Sequence, residues 1–100
     1  MQIEMNNGCD FLTFEYRRDT MTVMITNVVV NTQKRIGTGT CLLNQLISSF
    51  PQAGAVIYTI VRRDNQEAIS FFQRRFKLAV VCPNFYADGT DAAIFKYERG

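Results

Sequence analysis

A chain of 100 residues holds one small hydrophobic core, and with 47% hydrophobic and 20% charged residues it reads as a folded domain, not a disordered one. A net charge of +2 is too small to point to nucleic acid, and no apolar stretch is long enough to span a bilayer. The complete lack of histidine excludes Ser-His and Cys-His catalysis within one chain.

Cys9, Cys41 and Cys82 do not fall at metal-ligand spacing, so no structural zinc is expected, and an odd number of cysteines points to free thiols. The start, Met1-Gln2-Ile3-Glu4, lacks the basic and apolar regions of a signal peptide. A cytoplasmic location is the expectation.

Gln2 to Met5 is a candidate short strand, ended by the turn signal Asn6-Asn7-Gly8. Asp10 to Arg17 alternates, with Leu12, Phe14 and Tyr16 on one face, and predicts a second strand. After a turn at Arg18-Asp19, the β-branched run Thr20 to Val30 predicts a long central strand, completing an antiparallel meander. From Gly37 to Phe50 the spacing of Leu43, Leu46, Ile47 and Phe50 is helical, and Pro51 stops the helix. Ala55 to Val61 is an almost continuous apolar run, as expected of a strand buried on both faces.

Asp64 and Glu67 resemble a capping box opening a helix from about Asn65 to Arg75, which buries Ala68, Ile69, Phe72 and Phe76. Leu78 to Cys82 is a strand, Pro83 to Asp91 a polar loop, and Ala92 to Glu98 the last strand. The predicted order is therefore β-β-β-α-β-α-β-β, an α+β (mixed α/β) architecture with a mixed sheet and two helices packed on it.

The segment Val28-Val29-Val30-Asn31-Thr32-Gln33-Lys34-Arg35-Ile36-Gly37-Thr38-Gly39-Thr40 runs from a strand through a polar turn into a helix. Glycines at that start let a ligand approach the backbone, and the first helical N–H groups have no partner within the helix. With the helix dipole, and with Lys34 and Arg35 alongside, they form a site suited to an anion such as a pyrophosphate. A plain strand-to-helix turn is the bland reading of the same residues. No Gly-Lys-Ser/Thr is present, and Leu42 stands where a dinucleotide fingerprint needs its third glycine.

Lys34-Arg35-Ile36-Gly37-Thr38-Gly39 resembles the signature Arg/Gln-x-x-Gly-x-Gly/Ala of GNAT-type N-acetyltransferases. Asn65-Gln66-Glu67-Ala68-Ile69-Ser70-Phe71-Phe72 resembles that family's Asn-x-x-Ala-x-x-Phe-Tyr stretch, and Asn84-Phe85-Tyr86 followed by Asp91-Ala92-Ala93-Ile94-Phe95 resembles its closing hairpin. The likeness covers Thr20 to Glu98 and is nearest to protein N-terminal acetyltransferases. It implies one GNAT-like domain over residues 1–100 without the usual first strand and two helices. It also implies acetyl-CoA (CoA) as cofactor and an unidentified amine as acceptor. By this resemblance the backbone of Val28, Val29 and Val30 holds the acetyl and pantetheine groups. Lys34, Arg35, Ile36, Gly37, Thr38, Gly39 and Thr40 hold the pyrophosphate, Asn65 contacts the pantetheine arm, and Phe72 lines the thiol end.

Phe72 stands where many members carry a tyrosine that protonates the leaving thiolate, and Val23 and Ile60 stand where N-terminal acetyltransferases place a tyrosine and a histidine. Tyr86 is the remaining candidate acid. Asp64 is a candidate base or a helix cap. Cys41 is a candidate thiol or a small filler, and Arg62, Arg63, Arg74 and Arg75 are candidates for the 3′-phosphate or a solvated basic face. Two readings follow: an acetyl-CoA-dependent N-acetyltransferase, or a non-catalytic acyl-CoA-binding or dimerisation module of the same fold. A homodimer is expected in either case, with no membrane partner.

Overall fold

The computed structural model describes residues 1–5, 10–30, 38–50 and 56–97. The chain divides into two compact units, Met1–Ala55 and Val56–Gly100. The element order is the α+β order expected from the sequence.

The first unit is a meander with one helix. β1 (Gln2–Met5) pairs antiparallel with β2 (Asp10–Arg17), and β2 pairs antiparallel with β3 (Thr22–Val30). Strict alternation sends Asp10, Leu12 and Phe14 into the interior, while Phe11 and Thr13 between them stay half-buried. The third strand begins at Thr22, two residues later than predicted, because Met21 takes a left-handed turn conformation at φ 53°. Thr13 faces Asn27 whereas Phe14 faces Ile25, so Thr26 is an extra residue, a bulge in β3. The hydroxyls of Thr13 and Thr26 meet at 2.7 Å beside it.

α1 (Thr38–Ser49) buries Leu42, Leu43, Leu46 and Ile47. Each such side chain contributes about 1.5–3 kcal/mol when fully removed from water. Phe50, predicted inside the helix, lies one residue past it. Its ring packs edge-on against Phe14 at 5.8 Å and tilted against Tyr16 at 4.9 Å. That contact seats the end of α1 on the Leu12–Phe14 face of β2.

In the second unit β6 (Ala92–Tyr97) is central. It pairs antiparallel with β4 (Val56–Arg62) from Ile57↔Tyr97 to Arg62↔Ala92, and on its other side with β5 (Lys77–Cys82). The prediction that the β4 run is buried on both faces is corrected. Ile57, Thr59 and Val61 are buried, while Val56, Tyr58, Ile60 and Arg62 are only half-buried. The same alternation in β6 puts Phe95 and Ala93 opposite Thr59 and Val61.

α2 (Gln66–Phe72) packs on that face through an aromatic chain. Phe72 lies 5.6 Å from Phe76, and Phe76 lies 5.7 Å from Tyr97. The helix is shorter than predicted: Arg75 N–H bonds to Phe72 O and Phe76 N–H to the same carbonyl, turning the chain directly into β5. Residues Lys77 to Val80 are all exposed. No described helix is long and apolar enough to cross a membrane.

Candidate functional site

Part of the segment predicted to hold an anion lies within the described residues. Val28, Val29 and Val30 end β3, just beyond the Thr26 bulge, and Thr38, Gly39 and Thr40 open α1. Lys34, Arg35, Ile36 and Gly37 lie outside the described residues. The first turn of α1 carries no acidic residue, so no carboxylate of its own competes for the positive end of the helix dipole. Glycine is a poor choice inside a helix, costing about 1 kcal/mol relative to alanine. Gly39 is nonetheless the second residue of α1.

Asn65, Phe72 and Tyr86 belong to the second unit. Asn65 is the N-cap of α2: its Oδ1 accepts the Ala68 N–H at 3.1 Å. The predicted capping box with Asp64 in that place is therefore corrected by one residue. The reason is that Asp64 is already engaged by Arg62. The side-chain oxygen of Asn65 is on the helix, and the residue is exposed. Phe72 is buried, edge-on to Phe71 at 4.9 Å as well as to Phe76. Val23, one of the two positions where a reactive side chain was sought, is fully buried, while Ile60 is half-buried. Cys41 is exposed, so the small-filler reading of it is corrected; Gln45 Nε2 approaches its Sγ at 3.8 Å.

Tyr86 stands in the loop 83–91, half-buried. That loop is closely ordered by its own groups. Tyr86 N–H bonds to Thr90 O at 3.1 Å and Gly89 N–H to Tyr86 O at 2.9 Å. The Asn84 N–H is accepted by the Asp91 carboxylate at 3.0 Å, and the Thr90 N–H by the Asp88 carboxylate at 3.0 Å. Asn84 at φ 52° and Gly89 at φ 88° supply the left-handed corners.

Arg62, the last residue of β4, joins these pieces. Its Nε and Nη2 form a fork on Asp64, both at 3.1 Å, and Nη2 also reaches Asp88 Oδ2 at 2.6 Å and Thr90 Oγ1 at 3.0 Å. The guanidinium carbon sits 4.8 Å from the centre of the Tyr86 ring. The two carboxylates hold the guanidinium proton even more firmly than usual. In return Arg62 holds the Asp64 carboxyl below the ordinary range. It does the same to Asp88, aided by the Thr90 amide and hydroxyl, and drives that group well below. Asp64 is accordingly a poor base, and Arg62 is occupied within the protein rather than pointing to a phosphate. Arg75, another of the four arginines, lies over the Tyr97 ring at 6.0 Å.

Sequence reasoning missed this cluster as a unit. Asp88-Gly89-Thr90 signals a turn, but nothing local says that its acid meets an arginine 26 residues earlier.

Structural comparison places the fold. The ribosomal-protein-S18-alanine N-acetyltransferase of Escherichia coli matches with a TM-score of 0.77 at 25% identity, over 100% of this chain and 71% of that one. An acetyltransferase ascribed to the GNAT family in Desulfovibrio desulfuricans matches with a TM-score of 0.79 at 20% identity, over 96% of this chain and 64% of that one.

This is the GNAT fold of the N-acetyltransferases.

NAA60 of Arabidopsis thaliana, in a complex with acetyl-CoA, shares the GNAT fold with a TM-score of 0.74 at 21% identity, over 91% of this chain and 66% of that one. The chain thus spans roughly two thirds of the length of these structures. At the level of sequence, no family model and no curated protein matches it.

Proposed function

We propose that the chain binds acetyl-CoA and transfers its acetyl group to an amine, as an N-acetyltransferase. The observation that carries this reading is the pair formed by a bulged strand ending in Val28-Val29-Val30 and a helix opening on Gly39 with no acid in its first turn. It occurs in a fold shared with a ribosomal-protein alanine N-acetyltransferase. The residues present fit the cofactor's chemistry. Lys34 to Thr40 offer amides and positive charge to the diphosphate, Val28 to Val30 offer strand backbone to the pantetheine, and Asn65 offers Nδ2 to an amide carbonyl.

The reaction asks little further of the protein. The thioester is already activated, so positioning supplies much of the rate. The amine lone pair attacks the thioester carbon, the carbon–sulfur bond breaks, and the departing sulfur takes up a proton. Tyr86 is the residue to which we assign that proton. The amine sheds one proton in exchange, to water.

A second reading, an acyl-CoA-binding module without transfer, is favoured by one observation: Phe72 is buried and has no hydroxyl, and Val23 offers only an aliphatic side chain. Calorimetric titration with acetyl-CoA, followed by a thiol-release assay with mixed amines, separates the two. Binding with thiol release supports the transferase, binding without it the module, and no binding at millimolar acetyl-CoA defeats both.

A cytoplasmic setting accords with the free thiols of Cys41 and Cys82. A homodimer accords with the exposed apolar side chains of Leu78, Val80 and Phe85. Light scattering showing a monomer at high micromolar concentration would count against the dimer.

A further inference from the structure

We propose that Arg62 is a positioning residue for Tyr86, a proposal that rests on the transferase reading and assigns a second residue to the same site. Arg62 contacts both Asn65, at its backbone, and Tyr86, at its ring. Its backbone carbonyl accepts the N–H of Asn65 at 3.0 Å, and its guanidinium lies over the Tyr86 ring at 4.8 Å. The chain on either side is pinned as well, since the next residue, Arg63, gives its N–H to Asp91 O at 2.9 Å.

The guanidinium is held in one orientation. The bidentate fork on Asp64 restrains its plane, because two parallel N–H bonds to one carboxylate are directional. From that plane Nη2 reaches both Asp88 and Thr90 in the loop. Thr90 in turn accepts the Tyr86 N–H through its carbonyl. Tyr86 is therefore held twice by one side chain, on its ring face directly and on its backbone through Thr90.

A general acid must stand within hydrogen-bond reach of the atom it protonates, and a displacement of about 1 Å costs about 10²-fold in rate. Tyr86 is carried by a loop whose own hydrogen bonds order its backbone, and its ring takes a further support from outside the loop. Arg62 is that support. Lysine in this place keeps the charge but has neither the fork nor the flat face, so it does not substitute.

The test is Arg62→Lys, compared with Asp88→Asn, Tyr86→Phe and the double variant Arg62→Lys/Tyr86→Phe. In single-turnover transfer from acetyl-CoA, Arg62→Lys is expected to slow the step about 10–100-fold. The acetyl-CoA Kd should stay within about twofold, and Asp88→Asn should fall between Arg62→Lys and wild type. The double variant should be no slower than Tyr86→Phe alone, since Arg62 acts only through that hydroxyl.

Hydrogen exchange gives a second readout that needs no activity: Arg62→Lys should lose protection at the Tyr86 and Gly89 amides. Wild-type turnover in Arg62→Lys, an additive loss in the double variant, or unchanged protection at those two amides would each overturn the proposal. A wild-type chain that binds acetyl-CoA but releases no thiol defeats the transferase reading itself, and with it any role for Arg62 in transfer. Lost amide protection in Arg62→Lys would then report only how the loop is held.

Discussion

The side-chain oxygen of Asn65 and the backbone N–H of Ala68 are 3.1 Å apart, so the residue proposed to contact the cofactor is also the cap of its own helix. The two roles use different atoms, and substitution separates them. Asn65→Ala should lower stability by about 1 kcal/mol, the ordinary cost of a lost N-cap. Asn65→Asp keeps the oxygen and should leave the melting temperature unchanged or slightly higher, while removing the Nδ2 donors and weakening acetyl-CoA binding. Paired denaturation and calorimetry on both variants check this. An aspartate variant with wild-type affinity would confine Asn65 to capping.

Gly39 gives effects of opposite sign on stability and binding. Among the described residues only Gly89 of the glycines has a positive φ, so Gly39 is in a conformation that alanine accepts. Gly39→Ala should stabilise the free protein by about 0.5–1 kcal/mol while reducing acetyl-CoA affinity, because the methyl group meets the diphosphate. Gly39→Glu should abolish binding and leave a folded protein. If affinity is unchanged in both, the phosphates lie elsewhere.

The carboxylates of Asp64 and Asp88 make a prediction about acid. Both have depressed folded-state values through hydrogen bonds from Arg62. A depressed carboxyl contributes stability that is fully present above its unfolded value, about 3.9, and is lost as pH falls through the folded one. The loop 83–91 should therefore keep its exchange protection, corrected for the intrinsic rate, from neutral pH down into the ordinary carboxylate range. It should release only below that range. An NMR titration of the Asp88 carboxyl carbon reads this directly, and a midpoint near 3.9 would contradict it.

Removing only a hydroxyl, Tyr86→Phe should preserve the fold and the acetyl-CoA affinity. It should slow transfer by about 10²–10⁴-fold, the usual loss for one general acid. Wild-type turnover in this variant would leave solvent as the proton source.

Core energetics set the background against which these effects are read. Leu42 is fully buried in α1, so Leu42→Ala should cost about 2–5 kcal/mol. Chemical denaturation measures it, and a cost under 1 kcal/mol would show that the helix can collapse into the space.

Much of this was legible in the residue order, because period two and period 3.6 are local properties. The eight elements, their order and the Leu43–Leu46–Ile47 stripe needed no knowledge of partners. Their ends were less legible. Whether Asp64 or Asn65 caps α2 depends on which of them is drawn away, and the answer, Arg62, lies on the preceding strand. The half-buried state of Tyr58 and Ile60 was hidden because burial of a second face depends on what packs there, not on the strand's own apolar content. The glycine turn was singled out from its own residues, and Asn65 as a candidate contact through family resemblance. The Arg62–Asp88 contact was not, because a salt bridge across 26 residues leaves no mark on either segment.

The antiparallel pairing of β4 with β6 has a consequence for how the chain reaches this state. The meander of β1, β2 and β3 is built from neighbours in sequence, whereas β4 must wait for a strand made after α2, β5 and a loop. Closing so long an excursion costs chain entropy before any contact repays it. The β4–β6 ladder should accordingly form after the transition state, with φ-values near zero at Thr59 and Phe95. Substitutions there would speed unfolding, leave the folding rate nearly untouched, and shorten the lifetime of the native protein.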